Sequence, residues 1–537
     1  MPSFSTPPEF QSASGIPLKV VYTSADIAGQ DETESLGLPG EAPYTRGIYP
    51  DMYRGKLWTI RQFSGFATPQ ETNQRFRYEY ELGQTGFSIA FDSVTESGLD
   101  SDNPRAEADV GVGGVTVSSL QDMEDLFEGL PIEKVSTAVI ASPWTACPLS
   151  AMYFALAEKR GVPLNRLDGT TQNDLVLFTA CCNLIDIIPP RHLIRLCVDL
   201  VEWCAQHVPR WHPVSFASYN YRENGINAYQ ELGLLFANAI GYIEEELRRN
   251  RLGIDDFAPV LTFHLAAHND FFEEIAKFRA ARRMWYRLMT GRYQAKNPRS
   301  AMFRFHVQTS GSTHTYQQPL NNLIRIAYQV LAAALGGAQS IHACSYDEAL
   351  CLPTEQSVLL SIRTQQIAQL ETNITKVADP LGGSYYLEWL TTELEKRAWE
   401  YLQKIEEMGG IVAALESGWV HRESIKAMEE QERRLARGET KVVGVNCFEM
   451  EEEPYQVPLF RPNPEAAEIQ KARLKKLREE RDSSRVEKAL EELRRATERG
   501  DNVMPAVMEA VKAYATLGEI CDVWRKAYSI WKAPIMR

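Results

Sequence analysis

Residues 135–174 read VSTAVIASPWTACPLSAMYFALAEKRGVPLNRLDGTTQND. Val135–Ser142 is a β-type run, Leu149–Arg160 is helix-like, and Arg166–Thr170 is a second β-type run. Strand, crossover helix and strand in succession make the repeating unit of a parallel sheet covered by helices. The same alternation extends outward from about residue 87 to about residue 380. The further strand-type runs are Phe87–Asp92, Pro213–Ser218, Pro259–Leu265, Arg304–Thr309, Ser340–Ala343 and Asn373–Ala378. Helix-like stretches lie between them at His192–His207, Ala228–Asn250, Phe271–Met289, Leu320–Ala334 and Glu355–Glu371. Eight strand candidates with crossover-length helices predict an α/β fold, a (β/α)8 TIM barrel. An open doubly wound sheet would want a glycine-rich phosphate turn after an early strand, and none occurs. Polar residues follow the strands: Asp92, Ser142, Gln172 with Asp174, Tyr219 with Asn220, His264 with His268, Gln308, His342 with Glu348, and Asp379. Strand C-termini are where barrel enzymes keep their chemistry.

The chain has 537 residues, which is long for one ordinary domain, and 44% hydrophobic content, which is too apolar for disorder. Three regions are predicted: an extended arm over residues 1–50, the barrel over 51–430, and a mainly helical connector or partner-docking region over 431–537. Within the last, 440–462 reads as a connector with one or two strands. Residues 463–499 carry Glu and Lys or Arg at helical spacing, as in an exposed helix pair. The formal charge of −14 argues against nucleic acid or an anionic membrane as partner, so an anionic ligand must find its own few cations. Nine scattered cysteines without a C-x-x-C pair indicate reduced thiols, with neither a disulfide framework nor a metal site. With no signal-peptide pattern and no long apolar stretch, a cytoplasmic protein is expected.

Several blocks carry a resemblance. RGIYPDMYRGKLWTIRQFSGFATPQETNQRFRYEYELGQTGFSIAFD, SGLDSDNPRAEADVGVGGV, GTTQND, DFFEEIAKFRAARRMW, FHVQTSG, GGAQSIHACSYDEALCLPTEQS, DPLGGSYY, GVNCFE and NVMPAVMEAVKAYATLGEICD occur in this order. They closely resemble the coenzyme-B12-dependent acyl-CoA mutases typified by methylmalonyl-CoA mutase, from about residue 40 to the C-terminus. The resemblance implies an isomerase in which acyl-CoA threads a (β/α)8 barrel and adenosylcobalamin caps the strand C-termini. Its adenosyl radical takes a hydrogen from the substrate and the thioester group migrates to the adjacent carbon. None of the nine histidines stands in the D-x-H-x-x-G motif that supplies the lower cobalt ligand in this family. The chain is therefore expected to be a substrate-binding large subunit that needs a separate small cobalamin-binding subunit, in an α2β2 heterotetramer.

The resemblance also implies site residues. Tyr49, Met52, Lys56, Thr59, Arg61 and Ser88 match CoA-side positions, with Lys56 replacing an Arg. Thr170 and Gln172 match residues around the thioester, Gln308 one that faces substrate and adenosyl group, and Glu348 the carboxylate that holds the adenosyl ribose. The departures concern the acyl group. Where methylmalonyl-CoA mutase grips the free carboxylate with a Tyr and an Arg, this chain has Phe63 and Cys182. Without them a buried carboxylate would go unpaired, which excludes methylmalonyl-CoA as the expected substrate. Ala90 stands where 2-hydroxyisobutyryl-CoA mutases place an Asp. Asn220 replaces a catalytic His, and can donate a hydrogen bond but not act as an acid. Val260 and Cys344 replace an Arg and an Asn. His264, His268 and His314 are candidates for replacement polar contacts. The pocket read from these changes is roomier and less polar, suited to a bulky or uncharged-branch acyl-CoA. Aryl- or alkylsuccinyl-CoA mutation, an isobutyryl- or 2-hydroxyisobutyryl-CoA-type reaction, and a non-catalytic acyl-CoA-binding paralogue stay open as alternatives.

Overall fold

The strand registers show a ring. In the computed structural model, which describes residues 10–106, 108–182, 184–451, 459–461 and 463–532, the strands are β1 (Thr59–Ile60 and Phe63–Ser64), β2 (Gly86–Ile89), β3 (Ser136–Ile140) and β4 (Gly169–Gln172). They continue with β5 (Trp211–His212 and Ser215–Ala217), β6 (Thr262–Ala267), β7 (Phe305–Thr309) and β8 (Ser340–His342). Every pairing is parallel, and β8 pairs back to the first half of β1 through Thr59↔Ser340 and Ile60↔Ile341. Hydrogen bonding divides the strands into two five-membered sheets, because β1 and β5 are each split by two residues. Chain continuity across those splits joins the sheets into the eight-stranded parallel arrangement of a (β/α)8 barrel.

Both splits have local causes. Pro213, in the β5 gap, has no N–H to give a ladder. In the β1 gap, Gln62 substitutes its side chain for the ladder: its N–H donates to Gln84 Oε1 (3.1 Å), its Nε2 donates to the Ala343 carbonyl (2.9 Å), and its Oε1 accepts from Ala343 N (3.2 Å).

Seven of the eight predicted strands are found, with shifted ends. The eighth is corrected: Asn373–Ala378 forms turns, and the ring instead starts at Thr59–Ser64. Strand pairing decides this, since β8 pairs with β7 on one side and with Thr59–Ile60 on the other. Asp379 is accordingly a tie, bonded to Arg46 Nε (2.9 Å) and Arg279 Nη1 (2.6 Å).

Side chains alternate along the strands, as the pleat requires. Phe87, Ile89, Val139, Leu265, Val307 and Ile341 are fully buried in the layer under the helices. Their neighbours Ser88, Ala138, Thr170, His264, His306 and Ser340 face the axis. Barrel axes are usually filled by branched apolar side chains. Small and polar ones here leave an axial space.

The helix Phe271–Arg287 binds the flanking segments together. Arg282 donates to the carbonyls of Tyr44 (2.8 Å) and Thr45 (2.6 Å), and Glu273 Oε1 accepts from Ser14 Oγ (2.8 Å). Residues 10–50 are thus laid along the barrel. At the other end, Ala466–Glu480 and Ser483–Arg499 form the helix pair, followed by Met504–Lys512 and Leu517–Tyr528. Trp524 is fully buried in the same apolar cluster as the barrel helices. Asp100 ties this region to the DSDNP block by accepting from Thr516 Oγ1 (2.6 Å), Gly518 N (2.8 Å) and Arg478 Nη2 (2.7 Å). Of the predicted 440–462 connector, residues 452–458 and 462 lie outside the described residues, as do residues 1–9 of the arm. No helix among the described residues is long and apolar enough to cross a membrane.

Candidate active site

A cavity of about 490 Å³ runs inside the ring and takes its lining from both ends of the strands. Its near mouth, at the strand N-termini, includes Tyr49, Met52, Lys56, Thr59, Arg61 and Arg304. Its far end, at the strand C-termini, includes Phe63, Glu96, Gln172, Cys182, Tyr219, Asn220, His264 and Gln308. Of the residues singled out in the sequence, Ser88 and Thr170 line the middle.

The near mouth is cationic without being neutralised. Among the described residues Lys56, Arg61 and Arg304 have no ion-pair partner, whereas many other basic side chains of this acidic chain do; Arg304 Nη1 donates to the Pro259 carbonyl (3.0 Å). Arg61 lies deepest. Its guanidinium donates to the Phe87 carbonyl (3.1 Å) and to Ser136 Oγ (2.5 Å), and burial pulls its pKa down to about 10. A buried cation without a counterion is a ready partner for an anionic or carbonyl-rich ligand. Arg304 was not singled out in the sequence; its position one residue before β7 is the only hint there.

The far end contains polar groups but no Lys or Arg among the lining residues. Gln172, the last residue of β4, accepts at Oε1 from His264 Nδ1 (3.0 Å). Gln172 is thereby oriented with its amide N–H groups free of protein partners. Burial holds His264 neutral, with its pKa down to about 3, so it supplies no charge. His212 and His342 are likewise lowered, to about 4 and about 3, and His306 falls well below the usual range, all through burial. The Asn220 side chain lines the cavity with no hydrogen-bond partner among the described residues. Cys182 stays a thiol, since burial pushes its pKa up to about 12. Asp174 holds the scaffold: it accepts from Leu177 N, Ala217 N, Tyr221 Oη and Asn238 Nδ2 at 2.6–2.8 Å, fixing the Tyr219–Glu223 helix that carries Asn220.

Six of the singled-out site residues stand outside the lining: Ala90, Val260, His268, His314, Cys344 and Glu348. Ala90 is in the wall, its N–H donated to the Ser64 carbonyl (2.9 Å) and its carbonyl accepting from Val115 N (2.7 Å). Cys344 lies behind Gln308, whose Nε2 is 4.0 Å from Sγ. Glu348 closes on Gly311 from the same side: a Cβ added there would sit 3.0 Å from Glu348 Oε1 and 3.2 Å from Tyr219 Oη. Burial raises the Glu348 pKa to about 7. Beside them Ser310 Oγ and both ring nitrogens of His314 are buried without partners. Neither His268 nor His314 lines the cavity, and Val260 serves through its carbonyl, which accepts from His212 Nδ1 (2.8 Å). His342, Cys344 and Glu348 lie close enough for one ion, but His342 Nδ1 accepts from Phe63 N (3.0 Å) and the Cys344 thiol donates to the Thr309 carbonyl (2.9 Å).

His212, His306 and Ser340 also line the cavity and were not singled out in the sequence. Their signal was available, because they occupy the same strand phase as Thr170, Gln308 and His342.

These features define a barrel enzyme with a long axial cavity, cationic at one mouth and polar without Lys or Arg at the other. The methylmalonyl-CoA mutase family profile matches residues 11–530, and the chain belongs to that family of isomerases. Membership implies a cobalamin cofactor. The chain is 41% identical over 525 residues to the 2-hydroxyisobutanoyl-CoA mutase large subunit of Aquincola tertiaricarbonis, covering 97% of this chain and 92% of the relative. It is 40% identical over 527 residues to the methylmalonyl-CoA mutase of Cereibacter sphaeroides, covering 98% and 73%. To the human mitochondrial methylmalonyl-CoA mutase it is 38% identical over 525 residues, covering 98% and 69%.

Proposed function

We propose that this chain is the cytoplasmic, substrate-binding catalytic subunit of an adenosylcobalamin-dependent acyl-CoA mutase. In this reading it works with a separate small cobalamin-binding subunit and rearranges the carbon skeleton of an acyl-CoA whose branch is bulky or uncharged. The observation that carries the proposal is the polarity of the cavity: Lys56, Arg61 and Arg304 at one mouth, and no cation in the lining of the other. CoA enters past the three cations, whose charge no carboxylate among the described residues neutralises, and its phosphates and carbonyls accept from them. The thioester reaches Gln172, whose free amide donates to the carbonyl oxygen, while Asn220 offers a second neutral donor. Phe63 and Cys182 leave a substrate carboxylate with no partner, which selects against methylmalonyl-CoA.

The residues at the far mouth fit an adenosyl group. Glu348 and Tyr219 Oη converge on one point, and Ser310 and His314 keep unpartnered polar atoms beside it. Glu348 accepts from ribose hydroxyls in this reading, with Cys344 packed behind Gln308. When bound, the cofactor supplies the radical chemistry; the chain binds, orients and excludes water. Anaerobic electron paramagnetic resonance of the complex reconstituted with a small subunit and adenosylcobalamin tests the assignment. A radical signal that appears only on adding an acyl-CoA supports it, and its absence across branched, hydroxylated and aryl acyl-CoAs favours the non-catalytic paralogue.

A further inference from the structure

Glu96 lines the far end of the cavity and has no role in the site described above. It ends the short helix Ser93–Glu96 just after β2 and is only 7% exposed. Its Oε2 accepts from Ser142 N at 2.5 Å, and its carbonyl is held by Ser142 Oγ (2.6 Å) and Trp144 Nε1 (3.3 Å). Backbone and one carboxyl oxygen are therefore fixed. No described residue hydrogen-bonds Oε1, and the side chain lines the cavity. No Lys or Arg pairs with this carboxyl. The titratable groups that bear on it are Asp92, which is an acid too, and the Cys182 thiol. Burial raises its pKa well above the usual carboxylate range. A carboxylic acid kept neutral in an apolar site is a hydrogen-bond donor and acceptor at once.

We propose that Glu96 selects the substrate's acyl branch, recognising a hydroxyl group on it through the unpartnered carboxyl oxygen Oε1. A hydroxyl also donates and accepts, and it is uncharged, so it complements the acid without requiring a cation that this end of the cavity lacks. A branch carboxylate would still leave its charge uncompensated, and a hydrocarbon branch would leave Oε1 unpartnered. The carboxyl absent at Ala90 is thus supplied from another place on the same mouth. The substrate class is an uncharged hydroxyacyl-CoA. This inference rests on the mutase reading and narrows it.

The test separates the two. Isothermal titration of the full chain with isobutyryl-CoA and 2-hydroxyisobutyryl-CoA needs no turnover and no partner. The hydroxylated thioester binds about tenfold more tightly, the worth of one buried neutral hydrogen bond. In Glu96→Leu that ratio collapses towards unity, while Glu96→Gln, which keeps a donor and an acceptor, retains most of it. An unchanged ratio in Glu96→Leu overturns the role of Glu96 and leaves the mutase reading standing; failure of both thioesters to bind overturns the mutase reading itself. Should Glu96→Leu not fold, the infrared band of a protonated carboxyl decides. It shifts when the hydroxylated thioester binds and is missing in Glu96→Gln, and a band that does not shift refutes the contact.

Discussion

Replacing Arg61 by Met is expected to weaken acyl-CoA binding while leaving the free protein at least as stable as before. In the free barrel the guanidinium is buried with two neutral acceptors and no carboxylate, and its pKa is drawn from 12.5 to about 10. A depression of that size corresponds to a charge-burial cost of about 3 kcal/mol in the free state. Methionine removes that cost and keeps an unbranched side chain, but it orphans the Phe87 carbonyl and Ser136 Oγ at about 1 kcal/mol each. The net change in stability is then about 1 kcal/mol in favour of the variant. In the complex, loss of one charge-assisted contact costs about 2 kcal/mol, or roughly 30-fold in Kd. Calorimetric unfolding of the free chain and titration with a CoA thioester measure both quantities. A variant that is clearly less stable but binds CoA thioesters normally would show that Arg61 is a packing residue and refute the reasoning.

Three further outcomes concern other residues of the chain. His212, His264 and His342 have folded-state pKa values lowered from 6.5 to about 4, about 3 and about 3. Their stabilising effect is complete above pH 6.5 and is lost as pH falls towards those values, at about 2 kcal/mol per histidine by pH 5; His264→Gln should flatten this loss in acid-unfolding curves. Gln172→Ala removes the thioester donor and strands His264 Nδ1, so kcat of the reconstituted enzyme should fall by about tenfold or more with a smaller change in KM. Gly518→Ala places a Cβ 2.7 Å from Asp100 Cγ and should destabilise the chain by about 1–3 kcal/mol in denaturant unfolding, with no residue of the cavity altered.

The sequence showed the ring's strands where two of their neighbours are long helices, because alternation with helices is what a parallel barrel requires. It failed at the seam. Thr59–Ser64 is only two short ladders broken by Arg61 and Gln62, and no local pattern outweighs that interruption; Asn373–Ala378 has strand-like residues but no partner edge. The cavity was legible by resemblance for Tyr49, Gln172 and Gln308, and by strand phase for His212 and His306. Glu96 was not, since it sits past a strand end in a four-residue helix, and its exposure to the axis depends on how Ser142 and Trp144 hold its backbone. Buried arginines in the DFFEEIAKFRAARRMW block illustrate the converse. Arg279 and Arg283 bind the carboxylates of Asp379, Glu388 and Glu395, and Arg282 binds carbonyls of the N-terminal arm, so none of the three faces the cavity.

The proposed function requires the far end of the axial cavity to accept an uncharged acyl branch and reject a carboxylate. Its most direct measurement is competition in one reaction, by the complex reconstituted with a small subunit and adenosylcobalamin, between methylmalonyl-CoA and an uncharged branched acyl-CoA of similar size. The uncharged thioester is expected to be isomerised with a kcat/KM at least about 100-fold higher, as two lost charge-assisted contacts require. Isomerisation of methylmalonyl-CoA at an equal or greater kcat/KM would contradict it.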